Sequence, residues 1–192
     1  IDTSHSKFSG GAMNFTGGYF WYNDSPDWDV GSGDWTVEAW QMYSSASVGS
    51  RVSSFAQAAS NGADYPWAWI KQTNDVITIA GNYAAGGQWV NTSSNMVVAN
   101  TWYHFALVRS GTTVTLYVNG VQWAQVTGVT GALINSAYKL SIGSAGEYVA
   151  SYGGTYGTIM MGWIDSLRIT RGVARYTGTA FTPDTMPNCN SA

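Results

Sequence analysis

The sequence predicts an all-β protein, folded as one sandwich domain over residues 1–192. Three observations carry this. Glycine is abundant at 23 residues and aromatics make up 15% of the chain, and glycine-rich turns separate runs of aromatic and β-branched residues. Thr101 to Trp123, TWYHFALVRSGTTVTLYVNGVQW, reads as two strands around a tight turn with a second turn at Asn119-Gly120. No stretch shows the 3.6-residue apolar period of an amphipathic helix of three turns.

Each element follows from its local pattern. Ala12 to Phe15 and Tyr19 to Tyr22 are short strand candidates around Gly17-Gly18. Asn23 to Asp34, NDSPDWDVGSGD, is dense in turn formers and reads as a loop. Trp35 to Tyr43 alternates with period 2, placing Trp35, Val37 and Ala39 on one face and Thr36, Glu38, Trp40 and Met42 on the other. Bulk on both faces predicts a central strand. Arg51 to Ala58 is a further strand, and Asn61 to Pro66 is a turn region. Tyr65 to Lys71 alternates again, with Trp67 and Trp69 sharing a face. Val76 to Ala80 and Gln88 to Thr92 are strands with Gly86-Gly87 between them. In the hairpin, Tyr103, Phe105 and Leu107 alternate before Ser110-Gly111-Thr112, and Val114 to Val118 alternates after it. Tyr138 to Ile142 is a strand, Gly143 to Gly157 a long Gly/Ser/Tyr loop, and Thr158 to Thr170 holds the last strands. Gly172 to Thr185 is expected to form a short turn of helix and a tail.

Composition narrows the function. With 45% apolar residues the chain can bury one sizeable core, and it shows no internal repeat and no domain linker. The expected core runs from about residue 7 to 184, with a polar tail over 185–192. Net charge is −3 and no basic stripe exists, so no nucleic-acid partner is expected. No apolar run approaches the roughly 18 residues of a spanning helix, so no membrane insertion is expected. The single cysteine, Cys189, excludes an intrachain disulfide framework. The chain opens at Ile1 rather than Met, the expectation for a processed product or a piece of a longer parent.

Several segments carry a resemblance. WTVEAW at Trp35 to Trp40, TWYHFALVRSG…LYVNG, SIGS at Ser141 to Ser144 and GWIDSLRITRGVARYTGTAFTPD at Gly162 to Asp184 together resemble the laminin-G-like, concanavalin A-like lectin/glucanase superfamily. The version common in bacteriophage tail, fibre and other virion proteins is the most similar, and Lys7 to Trp35 also has counterparts there. The resemblance implies a jelly-roll sandwich of two antiparallel sheets with adjacent termini. It further implies a recognition role on a virion or extracellular surface, with a glycan or host-surface polysaccharide, or other virion proteins, as partners.

Glycanases of the superfamily carry Glu-x-Asp-x-x-Glu on one strand, and a retaining glycosidase needs two carboxyls about 5–5.5 Å apart. The two glutamates here, Glu38 and Glu147, belong to no such motif. No Gly-x-Ser-x-Gly elbow exists, and two histidines with one cysteine fall short of a zinc site. The expectation is a non-enzymatic module with no catalytic residue, in which His104 is a hydrogen-bonded structural residue. Arg168, Arg171 and Arg175 are expected to tie the C-terminal segment to the sheet through carbonyls or Asp165.

Calcium is the one cofactor the loops suggest. Asp24, Asp27 and Asp29 stand close in sequence, and calcium takes oxygen ligands from loop carboxylates and carbonyls. The same aspartates also suit an Asx-turn loop. Carbohydrate binding points to aromatics, since the C–H face of a sugar packs on an indole or phenol ring. The candidates are Trp67 and Trp69 on one strand face, Tyr83 and Trp89 across a Gly-rich loop, and Tyr148, Tyr152 and Tyr156 at four-residue spacing in the long loop. Trp35, Trp40 and Trp102 read as core or sheet-face filler. The hairpin is expected to be functionally silent, with function in the loops at 23–34, 61–69 and 143–157.

Overall fold

The computed structural model describes residues 1–57, 67–83, 86–91, 96–145 and 158–185, with backbone alone at 67, 80, 82–83, 86–91 and 158. Two sheets face each other. The first has six strands: β1 (Met13–Phe15), β13 (Gly162–Arg171), β3 (Trp35–Tyr43), β8 (Trp102–Ser110), β9 (Thr113–Val118) and β10 (Val121–Val126), in that spatial order. The second runs β2 (Phe20–Tyr22), β11 (Leu140–Ile142), β4 (Val52–Gln57), β5 (Trp67–Lys71), β6 (Ile77–Tyr83) and β7 (Gly86–Asn91). Its seventh strand, β12 (Thr158–Ile159), lies parallel to the start of β4, and the other pairings are antiparallel. This is the all-β, two-sheet architecture expected. Gly86-Gly87, expected between two strands, opens β7 instead.

The predicted hairpin is β8–β9, in the register Phe105↔Val118 and Leu107↔Leu116. Gly111 turns it at φ 58°, and Asn119 and Gly120 turn β9 into β10 at φ 49° and 79°. Two consecutive positive φ values are what a two-residue primed turn requires.

Alternation along β3, β8 and β9 sends one set of side chains inward. Trp35, Val37, Ala39, Tyr43, Phe105, Leu107, Leu116 and Val118 meet Phe55, Trp69, Ile77 and Ile79 of the facing sheet in one core. Trp69 stands at its centre, 4.9 Å from Phe55 and 5.8 Å from Phe105 between ring centroids.

The opposite face of the six-stranded sheet is covered by the two ends of the chain. At the N-terminal end, Asp2 pairs with Ala12 through backbone bonds, and its carboxylate accepts from Ser4, His5, Asn14 and the Trp163 indole N–H. Those bonds, Ser4 and Trp163 foremost, hold its pKa well below the usual carboxylate range. At the C-terminal end, residues 172–185 form an extended strap, not the expected turn of helix. The Phe181 N–H donates to the Gly120 carbonyl, Ala180 bridges Val121, and the Tyr117 hydroxyl donates to the Gly178 carbonyl. A Cβ on Gly120 would collide with the Phe181 carbonyl oxygen, so glycine is needed there for contact as well as for φ.

Glu38 fastens the strap. Its carboxylate is 1% exposed, and it accepts from Arg168 Nε at 2.8 Å, Tyr176 Oη at 2.8 Å and His104 Nε2 at 3.2 Å, with Arg175 Nε at 3.4 Å. Burial raises the pKa of Glu38, but the bonds from His104, Tyr176 and Arg168 outweigh it and the net shift is downward. Arg171 donates to the Pro26 carbonyl instead, while Arg168 and Arg175 tie the strap to the sheet, through Glu38 rather than Asp165. A β-bulge between Asp165 and Arg168 makes this possible, with Ser166 at φ 53°. Were this sequence to pair on from Asp165 without the bulge, Leu167 would stand opposite Glu38.

Candidate functional site

At one rim of the sandwich, the loop before β3, the end of β4, the segment before β11 and the end of β13 enclose a recess of about 210 Å³. A short 3-10 turn, Pro26–Trp28, builds one wall. Ser25 caps it by accepting from the Asp27 N–H, and Pro26 supplies a fixed φ at its first position. Trp28 is then locked by an indole N–H bond of 3.0 Å to the Asn23 carbonyl. Arg171 ends β13 and reaches back, donating to the Pro26 carbonyl at 2.6 Å. Gln57 forms the inner wall, its amide N–H₂ set among Asp24 Oδ1, the Ser136 carbonyl and the Tyr138 carbonyl at 2.9 to 3.1 Å. Asp29 and Asn135 complete the polar lining. Burial, then the nearby Asp24 charge, pushes the Asp29 pKa up, while Arg171 opposes the shift.

This recess combines one indole with a carboxylate, a guanidinium and amides. Such a set supplies acceptors and donors beside an apolar ring, which is how a small polar ring-shaped ligand is oriented in a concave site.

Trp69, expected among the sugar-stacking aromatics, is fully buried in the core, because β5 lies inside its sheet and this position faces the other sheet. Trp67, Tyr83 and Trp89 lie on β5, β6 and β7, and their side chains are outside the described residues. Tyr148, Tyr152 and Tyr156 also lie outside the described residues. Asp24, Asp27 and Asp29 share the rim loop but do not converge; among the described residues no three His, Cys, Asp or Glu side chains form a metal-ligand group. Asp24 is engaged by Gln57, and Arg171 brings a cation to the same loop.

The rim residues Trp28, Gln57, Asn135 and Arg171 are not sugar-site candidates by sequence pattern. Trp28 carries a signal, as a lone large aromatic in a loop of turn formers. The others meet it only through the fold, from positions 29 to 143 residues further along the chain.

The two-sheet fold with a rim recess defines a lectin-like β-sandwich. Residues 16–173 match the family model Laminin_G_3, described as the concanavalin A-like lectin/glucanases superfamily, and the chain belongs to that family. Among solved structures it is similar to a putative carbohydrate binding protein from Bacteroides ovatus, at 21% identity and TM-score 0.62 over 86% of this chain and 44% of that one. It is similar to domain 4 of AbnA, a GH43 extracellular arabinanase from Geobacillus stearothermophilus in complex with arabinotriose, at 18% identity and TM-score 0.60 over 84% and 70%. Domains LG4-5 of the mouse laminin alpha1 chain match at 13% identity and TM-score 0.64 over 82% and 40%. At these identities the likeness shows the fold. The chain spans about two fifths of the laminin and Bacteroides structures. No curated protein matches it in sequence. Domains of this family are generally binding modules, and enzyme domains also occur among structures with the fold.

Proposed function

We propose that this domain is a non-enzymatic carbohydrate-recognition module and that a sugar residue occupies the rim recess. The observation that carries this is the placement of the Trp28 indole beside Asp29, Asn135 and Arg171 around about 210 Å³. The carbohydrate-binding protein and the arabinanase domain with the same fold support the ligand class. The absence of a catalytic role is supported by Glu38, which is saturated by two arginines, a tyrosine and a histidine. The setting we propose is a virion or extracellular protein that meets a host-surface polysaccharide. Repetition on such a particle raises a weak single-site affinity by about 10²–10⁴.

A glycan and whole-cell binding screen, run with the monomer and a multimerised form, tests this. Binding to a restricted set of glycans, strengthened by multimerisation, is expected. A blank screen with both forms overturns it.

A second reading, a structural virion domain making protein–protein contacts, is favoured by edge strand β2. Tyr19, Phe20, Trp21 and Tyr22 are 41 to 52% exposed in one run, with Lys139 Nζ 4.1 Å from the Trp21 ring centroid. Exposed aromatics of this density are typical of interfaces. This reading predicts a discrete oligomer by light scattering, reduced to monomer by Trp21→Lys.

A further inference from the structure

Among the described residues, the face of the six-stranded sheet that the two chain ends cover is left open in one place. There a groove of about 500 Å³ runs between the N-terminal and C-terminal straps, within the range of ligand sites. Its floor is Trp40 of β3 and Trp102 of β8. In the register Trp40↔His104 and Met42↔Trp102, the two indoles are diagonal neighbours on the same face. Trp40 is the one residue of β3 that is not buried. Lys7 and Phe8 form one wall, with Lys7 Nζ 3.9 Å from the Trp40 ring centroid and Phe8 edge-on at 6.0 Å. Asp184 and Thr185 form the other wall, and Asn119 closes the end at the β9–β10 turn.

Both walls are pinned to the sheet on either side of one bulge. The N–H groups of Lys7 and Phe8 donate to Asp165 Oδ2 at 3.0 and 3.3 Å. Arg168 holds Asp184 at 3.4 Å while it binds Glu38. A groove held open this way keeps its shape without a ligand, which lowers the ordering cost of binding.

We propose that this groove is a second binding site, separate from the rim recess, for a segment of neutral oligosaccharide of about two or three rings. The Trp102 indole, beside the Trp40 ring on which Lys7 sits, offers a platform for sugar C–H faces, and Asn119, Thr185, Lys7 and Asp184 offer hydroxyl groups both donors and acceptors. The charge pattern selects against acidic chains. Among the described residues Lys7 is the only cation lining the groove, it is already seated on Trp40, and Asp184 stands across from it.

The test uses the full domain labelled with 5-fluorotryptophan, with the Trp28, Trp40 and Trp102 fluorine signals assigned by single Trp→Phe variants. Xylohexaose, mannohexaose, cellohexaose, an acidic hexagalacturonate and a mixed peptide library are titrated in turn. At least one neutral hexasaccharide is expected to shift the Trp40 and Trp102 signals saturably, with at least fivefold weaker affinity in Asp184→Asn. Silence of both groove signals to all three neutral hexasaccharides overturns the proposal, as does tighter binding of hexagalacturonate or of peptide. Movement of Trp40 and Trp102 with Trp28 silent upholds the groove while counting against the rim reading. Movement of Trp28 alone does the reverse.

Discussion

At the scale of single residues, the chain separates aromatics that hold the fold from aromatics that meet solvent. Trp69 is wholly buried between Phe55 and Phe105, so Trp69→Ala removes a large core volume. The expected loss is about 3–5 kcal/mol in urea unfolding. A change below about 1 kcal/mol would show that the core does not rest on it. Glu38 makes a pH-dependent contribution. Its pKa in the fold is depressed, so its stabilisation is complete above the unfolded value of about 4.3 and is lost as pH falls through the folded value. The wild type should therefore lose melting temperature on acidification below about pH 4, and Glu38→Gln should be less stable at neutral pH with a flatter acid limb. Parallel acid limbs in the two proteins would contradict this. Tyr176, which donates to Glu38, has its pKa pushed up to about 12, by burial first and then by the carboxylate, so it stays a donor across this range.

At the scale of elements, local periodicity alone makes much of the sandwich legible. The two faces of β3 and the β8–β9 hairpin follow from alternation and from the glycines at the turns. Which face lies open does not follow. Trp35 and Trp40 read alike as filler, yet Trp35 is buried and Trp40 floors a groove, because the described parts of the two straps cover its face incompletely. The hairpin expected to be silent contributes Trp102 to that groove, and Asn119 joins it from the turn into β10. The C-terminal strap reads as a helical turn because its order comes from distant partners: Glu38 lies 130 residues from Arg168 and 138 from Tyr176. The bulge is equally invisible to periodicity, since it is an extra residue counted against β3. It yields a sharp prediction. Ser166→Gly should be tolerated at φ 53°, whereas Ser166→Val, a β-branched residue strained at that φ, should lower stability by about 1 kcal/mol. Equal stability of Ser166→Val and the parent by urea unfolding would refute the left-handed backbone assigned to the bulge.

At the scale of the whole molecule, the sandwich serves as a frame with two surfaces of different origin. The rim recess is built by loops and strand ends, while the groove is built on the open face of a sheet by the straps beside it. The residues that line the rim recess sit at the end of a strand or in a connection, where side-chain identity is free of the core's period. This is why the family is evident from the sequence and the candidate site only in part: one indole of the recess stands out, and its partners come together from separated strands. The central claim, sugar recognition at the rim, is tested most directly by the dissociation constant of Trp28→Ala and of Asn135→Ala for the glycan that binds best in the screen. The account predicts at least tenfold weaker binding by Trp28→Ala and a smaller loss by Asn135→Ala, with unchanged far-ultraviolet circular dichroism in both. Wild-type affinity in both variants would contradict it.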